Sequence, residues 1–302
     1  MKYVVTGGAG FVGSNLVKLL VDQGHEVTVI DNLYKGKKEN LERVLHKIKF
    51  EEIDIRDFDN LERVLKSTNG VFHQAALTVV QDSFDNPAEY HDVNVRGTEN
   101  IFQLAYKHDF KVVYASSSSV YGHQNKMPIM ENTDRNPINP YGKTKLDDEY
   151  LFEKYSKMGT KIIGLRYFNI FGKGQTLEYA GVITKFLDRI RAKKPPIIFG
   201  DGTQTRDFIY VDDAITGILN SSESSYQGVV NIGSGISTSF NQIIEKIGIQ
   251  TGKNISPKYV KKELSYVENL EADTTLMNSI LNINPISIDS GIKKFAEYLK
   301  II

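Results

Sequence analysis

The sequence predicts an α/β protein built on a doubly wound parallel sheet, with a second, smaller α/β domain. Three observations lead there. Short β-branched runs alternate with amphipathic stretches through the first half of the chain, the pattern of βαβ units. A glycine-rich turn joins the first such run to the first amphipathic stretch. The 302 residues, 40% hydrophobic and 25% charged, suffice for one large domain or two intimate ones with a sizeable core.

The strands are expected at Tyr3–Thr6, Glu26–Asp31, Lys49–Asp54, Val71–His73, Lys111–Ser116 and Lys161–Tyr167. Between them, Gly13–Gln23, Glu39–His46, Leu61–Ser67 and Pro87–His108 carry helical spacing of apolar residues. The second half is looser: a Gly/Gln loop after Asn169, a helix at Val182–Lys193, a turn at Gly200-Asp201-Gly202, a helix at Val211–Asn220 and a buried strand at Val229–Ile232. From Thr238 onward helices and short strands alternate.

Composition narrows the function classes. Lys plus Arg and Asp plus Glu number 37 each, so the formal net charge is zero and no nucleic-acid or membrane surface is indicated. The 31 Tyr and Phe residues (16 and 15) have no basic stripe among them, which argues against single-strand stacking. With no cysteine, a disulfide framework, a thiolate metal site and a Cys nucleophile are excluded. The six histidines are scattered and make no metal-spaced cluster, so no metal is expected. The first residues run straight into a structural motif and no apolar run is long enough to span a bilayer, so a cytoplasmic protein is expected.

The glycine turn is Thr6-Gly7-Gly8-Ala9-Gly10-Phe11-Val12-Gly13. Gly7 permits the tight turn, Gly10 lets backbone approach a pyrophosphate at the positive end of a helix, and Gly13 allows the helix to pack close to the sheet. Asp31, at the end of the second strand, stands where a carboxylate would accept from both ribose hydroxyls and repel a 2′-phosphate. Lys35, Lys37 and Lys38 just downstream could pair with such a phosphate, but they lie on a loop and Asp31 at a strand end; NAD is favoured over NADP. Asp54-Ile55, after the third strand, could meet the adenine edge. The expected domains are 1–168 plus about 211–237 for the NAD-binding (Rossmann) part, and about 169–210 plus 238–302 for the substrate part.

Tyr141 and Lys145 are four apart, on one face if helical, and Pro140 suits a helix start. Free tyrosine has a pKa of about 10; a nearby ammonium and a cationic nicotinamide would lower it and yield a general base. The run Ala115-Ser116-Ser117-Ser118-Ser119-Val120-Tyr121-Gly122 follows a hydrophobic strand, at the carboxyl edge of the sheet where α/β proteins bind ligands. Each of these pieces alone is common.

Together, in order and spacing, they resemble the extended short-chain dehydrogenase/reductases that modify sugar nucleotides, the NAD-dependent epimerase/dehydratase family. The resemblance is strongest to UDP-glucose 4-epimerases and their UDP-N-acetylglucosamine-acting relatives. His73-Gln74-Ala75-Ala76, Asp92-Val93-Asn94-Val95-Arg96-Gly97-Thr98, Arg166-Tyr167-Phe168-Asn169 and Gly200–Phe208 extend it to about residue 235.

The resemblance implies that Tyr141 is the base, that Lys145 lowers its pKa and holds the nicotinamide ribose, and that Ser117, four residues before Tyr121, assists at the sugar hydroxyl. NAD would be lined by Gly7, Gly10, Phe11, Val12, Asp31, Asn32, Asp54, Ile55, Ala75, Ala76, Asn94 and Ser116, with Tyr141 and Lys145. Thr78, Ser117, Asn169 and Arg206 would meet the nucleotide sugar, and a homodimer through the stretches Pro87–His108 and Tyr141–Met158 is implied. Ile101, Leu104 and Ala105 could serve either the core or that interface. Dehydratases of this family carry Asp-Glu directly after the active-site Ser/Thr; here Ser118 and Ser119 stand there, which favours epimerisation at C4. UDP-glucuronate epimerases or decarboxylases, a 4,6-dehydratase, a 4-keto reductase and, more remotely, a non-catalytic NAD sensor are the alternatives. One departure concerns the nucleotide: where the family has an Arg, this chain has Glu263, with Lys261 or Lys262 as substitutes. Leu270 is intermediate in size where the family controls entry of an N-acetyl group.

Overall fold

The computed structural model describes residues 1–177, 181–261 and 267–302, which form two compact units. One comprises 1–122, 134–166 and 215–230; the other 123–133, 167–214 and 231–302. Residues 123–133, 167–168, 211–214 and 231–237, placed with the nucleotide domain from sequence, cluster with the second unit.

In the first unit, β1 (Lys2–Thr6) leads through the glycine turn to helix α1 (Phe11–Asp22) and β2 (Glu26–Ile30). The amphipathic stretch that follows is a 3₁₀ helix, Lys38–Lys47. It is tied to the turn at its start, where the Lys37 amide and the Asn40 side chain both donate to the Ala9 carbonyl, at 3.1 and 2.8 Å. Next come β3 (Lys49–Glu51), α2 (Phe58–Leu65) and β4 (Gly70–His73). The third strand stops three residues earlier than expected. The Asp54 carboxylate accepts from the Arg56 amide at 2.9 Å, a side-chain turn that competes with strand pairing. Helix α2 starts earlier than its apolar spacing suggests, because Asp57 caps it by accepting from the Asn60 amide.

Helices α3 (Val80–Asp85) and α4 (Pro87–His91) precede a π turn at Asp92–Arg96 and α5 (Gly97–His108). The stretch expected as one helix is therefore helical throughout but carries an extra residue in one turn, a feature common at functional sites. Then follow β5 (Lys111–Ser117), a 3₁₀ turn at Ser118–Val120, α6 (Pro140–Lys157) and β6 (Ile162–Tyr167).

The second unit adds β7 (Asn169–Phe171), α7 (Val182–Arg191), β8 (Ile197–Phe199) and β9 (Thr205–Tyr210). Helix α8 (Val211–Glu223) returns the chain to the main sheet at β10 (Gly228–Ile232). Last come β11 (Ser237–Ser239), α9 (Phe240–Thr251), β12 (Lys258–Val260), α10 (Thr275–Leu281) and α11 (Ile288–Tyr298).

The main sheet has seven strands in the order β10-β6-β5-β4-β1-β2-β3. The pairs β1/β2, β1/β4, β2/β3 and β4/β5 run parallel, with Thr6 opposite both Ile30 and His73. The order reverses between β1 and β4, and in such sheets ligands bind beyond the carboxyl ends of the strands at that reversal. One core face joins Val4, Ile30, Val71 and Val112 of the sheet to Leu61 and Leu65 of α2 and to Ile101, Phe102, Leu104 and Ala105 of α5. Ile101, Leu104 and Ala105, open to either role from sequence, are at most 1% exposed in this core. In the second unit β9 pairs parallel with β7 and antiparallel with β11, while β8 pairs parallel with β12.

Candidate active site

The turn after β1 is shaped by backbone contacts that exclude side chains. Gly7 has φ of 65°, and a Cβ there would lie 2.7 Å from the Ala75 amide nitrogen, so the chains leaving β1 and β4 meet at the sheet's reversal. A Cβ on Gly13 would lie 2.2 Å from the Gly7 carbonyl oxygen. The close approach enabled by Gly13 is thus to the turn itself. Gly10, the N-cap residue of α1, has no side-chain cap, and with Phe11 and Val12 it forms the half-buried rim of that helix start. A cradle of backbone at a helix N-terminus suits a pyrophosphate. Gly13→Ala should reduce NAD retained on purification at least tenfold and lower stability by about 1–3 kcal/mol, because backbone cannot yield to the new methyl. Thermal melting with assay of bound NAD checks this, and unchanged NAD content would refute it.

Asp31 lies directly after β2, 7% exposed. It accepts from the Ala9 amide through Oδ2 and from the Leu33 amide through Oδ1, both at 2.9 Å. Burial raises its pKa while those two amides lower it. A Cβ on Gly36 would stand 2.6 Å from the same carboxylate. Lys38, considered as a phosphate partner, is paired with Glu52 at 3.2 Å. Asn32 is exposed and donates to Asp54 at 3.0 Å. Asp54 is also gripped by the Arg56 guanidinium, at 2.9 and 2.8 Å, which holds its pKa down at about 2. Ile55 is buried beside it. These residues fit an adenosine ribose pocket in donor and acceptor type.

After β4, Ala75 and Ala76 are half-buried and Thr78 is exposed. Asn94, in the π turn, is fully buried and clamps this loop: it accepts from the Leu77 amide at 2.8 Å and donates to the Leu77 carbonyl at 3.0 Å. Its amide also donates to Thr144 of α6 at 3.0 Å.

Helix α6 begins at Pro140, capped by Asn139, whose side chain accepts from the Gly142 amide at 2.7 Å. A Cβ on Gly142 would meet the Ser119 carbonyl oxygen at 2.7 Å, so a glycine at this position brings the helix start against the serine turn. Tyr141 is half-buried at this start, and its amide donates to Ser83 at 3.2 Å. Lys145, one turn on, is 2% exposed. Ser117, 7% exposed, accepts from the Ser119 amide at 3.1 Å. Ser116 points into the protein, donating to Glu149 at 2.7 Å.

Three further contributors lie beneath this surface, of which the sequence singles out only His73, within the family motif and without a role. Glu149 is completely buried and accepts two bonds of 2.7 Å from Arg166, and one of 2.9 Å from Arg135. Burial pushes its pKa up, but Arg166, Ser116 and Arg135 outweigh that and hold it below the usual range. His73 is buried between Thr6 and Thr98, at 2.7 and 3.0 Å; desolvation, then the charge of Lys145, lower its pKa to about 3 and keep it neutral. Asp148 pairs with Lys145 at 3.1 Å. Their signal was the spacing of polar residues on α6 and the family motif itself.

In the second unit, Asn169 donates to the Asp207 carbonyl at 3.0 Å. Arg206 donates to the carbonyls of Thr205 and Glu268, at 2.7 and 3.2 Å. Desolvation lowers its pKa to about 10, and no carboxylate among the described residues offsets that burial, a donor set suited to phosphate. Asp207 is buried beside it and accepts from the amides of Ser234, Gly235 and Ala272, at 2.6, 2.9 and 3.1 Å. Leu270 is 8% exposed. Lys261 is exposed, whereas Lys262 and Glu263 fall outside the described residues. Among the described residues, no group of three metal-ligating side chains occurs, and no helix is long and apolar enough to cross a membrane.

A reversed parallel sheet, a glycine cradle with an acidic strand end, and a Tyr/Lys helix beside a serine turn define a nucleotide-dependent α/β enzyme class. Residues 3–233 match the NAD-dependent epimerase/dehydratase family, and the chain belongs to it. A Methanocaldococcus jannaschii protein provisionally named UDP-glucose 4-epimerase is 38% identical, with 98% of each chain covered. The UDP-glucose 4-epimerase of Thermotoga maritima, solved with UDP-glucose, is 34% identical with a TM-score of 0.95, covering 99% of both chains. The UDP-N-acetylglucosamine 4-epimerase of Methanobrevibacter ruminantium M1, solved with UDP-N-acetylmuramic acid, is 35% identical with a TM-score of 0.94, covering 99% of this chain and 98% of that one.

Proposed function

We propose that this chain is an NAD-dependent 4-epimerase of a nucleotide sugar: UDP-glucose/UDP-galactose or the N-acetylhexosamine equivalents. The observation that carries this reading is the placement of Tyr141 and buried Lys145 one turn apart on α6, with the helix start packed on the turn after Ser117. Full-length similarity to two 4-epimerases of known structure supports it.

Tyr141 takes the C4 hydroxyl proton as general base and returns it after the sugar has turned over. Ser117 donates to the same oxygen. Lys145 stabilises the phenolate and orients the nicotinamide ribose. Gly7, Gly10, Phe11 and Val12 cradle the pyrophosphate; Asp31, Asn32, Asp54 and Ile55 hold the adenosine. Ala75, Ala76, Asn94 and Ser116 form the wall behind the nicotinamide, Asn94 and Ser116 by fixing backbone. NAD, when bound, would supply the acceptor for the hydride leaving C4 and the donor for its return. Arg206, Asn169 and Thr78 meet the nucleotide sugar, Arg206 at the diphosphate. Ser118 and Ser119 offer no acid–base pair for expelling water.

The purified protein is incubated separately with UDP-glucose and UDP-N-acetylglucosamine, without added cofactor, and the sugar protons are followed by NMR. Galacto-configured product is expected from at least one; no change with either, even after NAD is added, would sink the reading.

We also propose a cytoplasmic homodimer. The cysteine-free composition accords with a reducing compartment. Tyr106 on α5 and Tyr150 on α6, 53% and 48% exposed, offer apolar area on the two helices in question. Light scattering at micromolar concentration should give twice the chain mass, and a monomer alone would remove the dimer.

A further inference from the structure

Asp148 lies one turn beyond the Tyr141/Lys145 pair and has no place in the chemistry described so far. Its side chain is 0% exposed, and its Oδ2 lies 3.1 Å from the Lys145 ammonium, itself 3% exposed. Thr98 of α5 lies close enough to the same carboxyl group to favour its charged form. The other oxygen, Oδ1, is buried with no hydrogen-bond partner among the described residues. A carboxylate so placed carries a desolvation cost that its one ion pair does not fully offset. Such a group is expected where charge serves the reaction.

The groups that face it can be named from every side. Lys145 and Asp147 belong to its own helix, and Asp147 is paired outward with Lys143 at 2.8 Å. Thr98 comes from α5, with His73 of β4 behind it at 3.0 Å. Tyr114 of β5 is fully buried, and burial keeps its hydroxyl protonated. His73 bridges Thr98 and Thr6 through its two ring nitrogens, at 3.0 and 2.7 Å. Thr6 in turn accepts from the Ala75 amide at 3.3 Å. The chain from the β4 loop to α6 is therefore neutral apart from one cation and one anion, Lys145 and Asp148.

We propose that Asp148 is a positioning residue of the reaction: its buried carboxylate anchors the Lys145 ammonium and offsets that charge beside Tyr141. The inference rests on the reading of Tyr141 as base and Lys145 as its cation. An unopposed lysine would favour the phenolate more strongly and make the base weaker; the counter-ion restores basicity and sets the pH at which the site becomes active.

The test begins with Asp148→Asn, which keeps the shape and removes the charge. The acid limb of its kcat profile should move to lower pH by about one unit, with plateau kcat reduced less than tenfold, KM little changed and NAD retained. An unmoved limb in a folded, NAD-loaded Asp148→Asn enzyme overturns the proposal, because a purely structural residue would alter stability and leave the limb in place. A second measurement needs neither that variant nor turnover. In aspartate-labelled wild type, one carboxyl carbon should titrate by ¹³C NMR near pH 6, the value to which burial raises Asp148 against the opposing pull of Lys145 and Thr98. In Lys145→Met it should titrate higher, having lost its cation; no aspartate signal that responds to this change also overturns it. A Tyr141→Phe enzyme that retains kcat would instead remove the base assignment itself, and the two failures are thereby told apart.

Discussion

Tyr141→Phe should lower kcat for epimerisation by roughly a hundred- to ten-thousand-fold, the range expected for loss of a positioned general base, while bound NAD and the melting temperature stay close to wild type. The split follows from how Tyr141 is held. Its amide bonds Ser83, its helix is capped by Asn139, and its carbonyl accepts from Thr144 at 2.8 Å. None of these contacts uses the phenol oxygen, so its deletion leaves the helix start intact. KM should change little, since the lost bond matters most when the C4 proton is in transit. A variant within threefold of wild-type kcat would show that another group takes the proton.

Glu149→Ala should destabilise the protein by about 3–5 kcal/mol, the cost of breaking a buried pair by removing one partner. The loss falls on Arg166, 2% exposed, which would lose both bonds to Glu149 and keep its bond to the Tyr121 hydroxyl at 2.7 Å and its stacking over that ring at 4.8 Å. Ser116 and Tyr121 flank the serine turn, so the same change should loosen the segment that carries Ser117. Urea denaturation measures the effect, and a loss below 1 kcal/mol would refute it. Replacing both partners, as Glu149→Leu with Arg166→Met, should recover part of the deficit, because no buried charge is then stranded. Acid reports on the same group. Its folded pKa is depressed below the ordinary 4.5, so the stability it contributes is complete above that pH and is lost as pH falls through the folded value.

Much of the nucleotide half could be read from sequence because its determinants are local. A glycine at 7 with positive φ, one at 13 with no room for a methyl, and an acid after the second strand are all consequences of chain conformation within a few residues. The reactive helix was legible only on its outer turn. Tyr141 and Lys145 follow from i, i+4 spacing, but Thr144, Asp148 and Glu149 are buried as well. Charged residues on a helix with few apolar ones suggest a solvated face. Only partners distant in sequence, Thr98, Arg135 and Arg166, make that face an interior one. The π turn at Asp92–Arg96 was hidden for a related reason: hydrophobic periodicity counts residues and does not register one added to a turn. The strands β7, β8, β11 and β12, three residues each, carry too little alternation to stand out from loops.

The contact between Asp31 and Gly36 constrains how this lineage can change. As long as the carboxylate stands, any side chain at 36 would begin 2.6–2.7 Å from its oxygens. Drift in cofactor preference therefore has an order. Position 31 must shorten first, and only then can position 36 diversify. The reverse route passes through a clash. A homologue with a larger residue at 36 is thus expected to have lost the acid at 31, so the two positions should co-vary although no motif joins them.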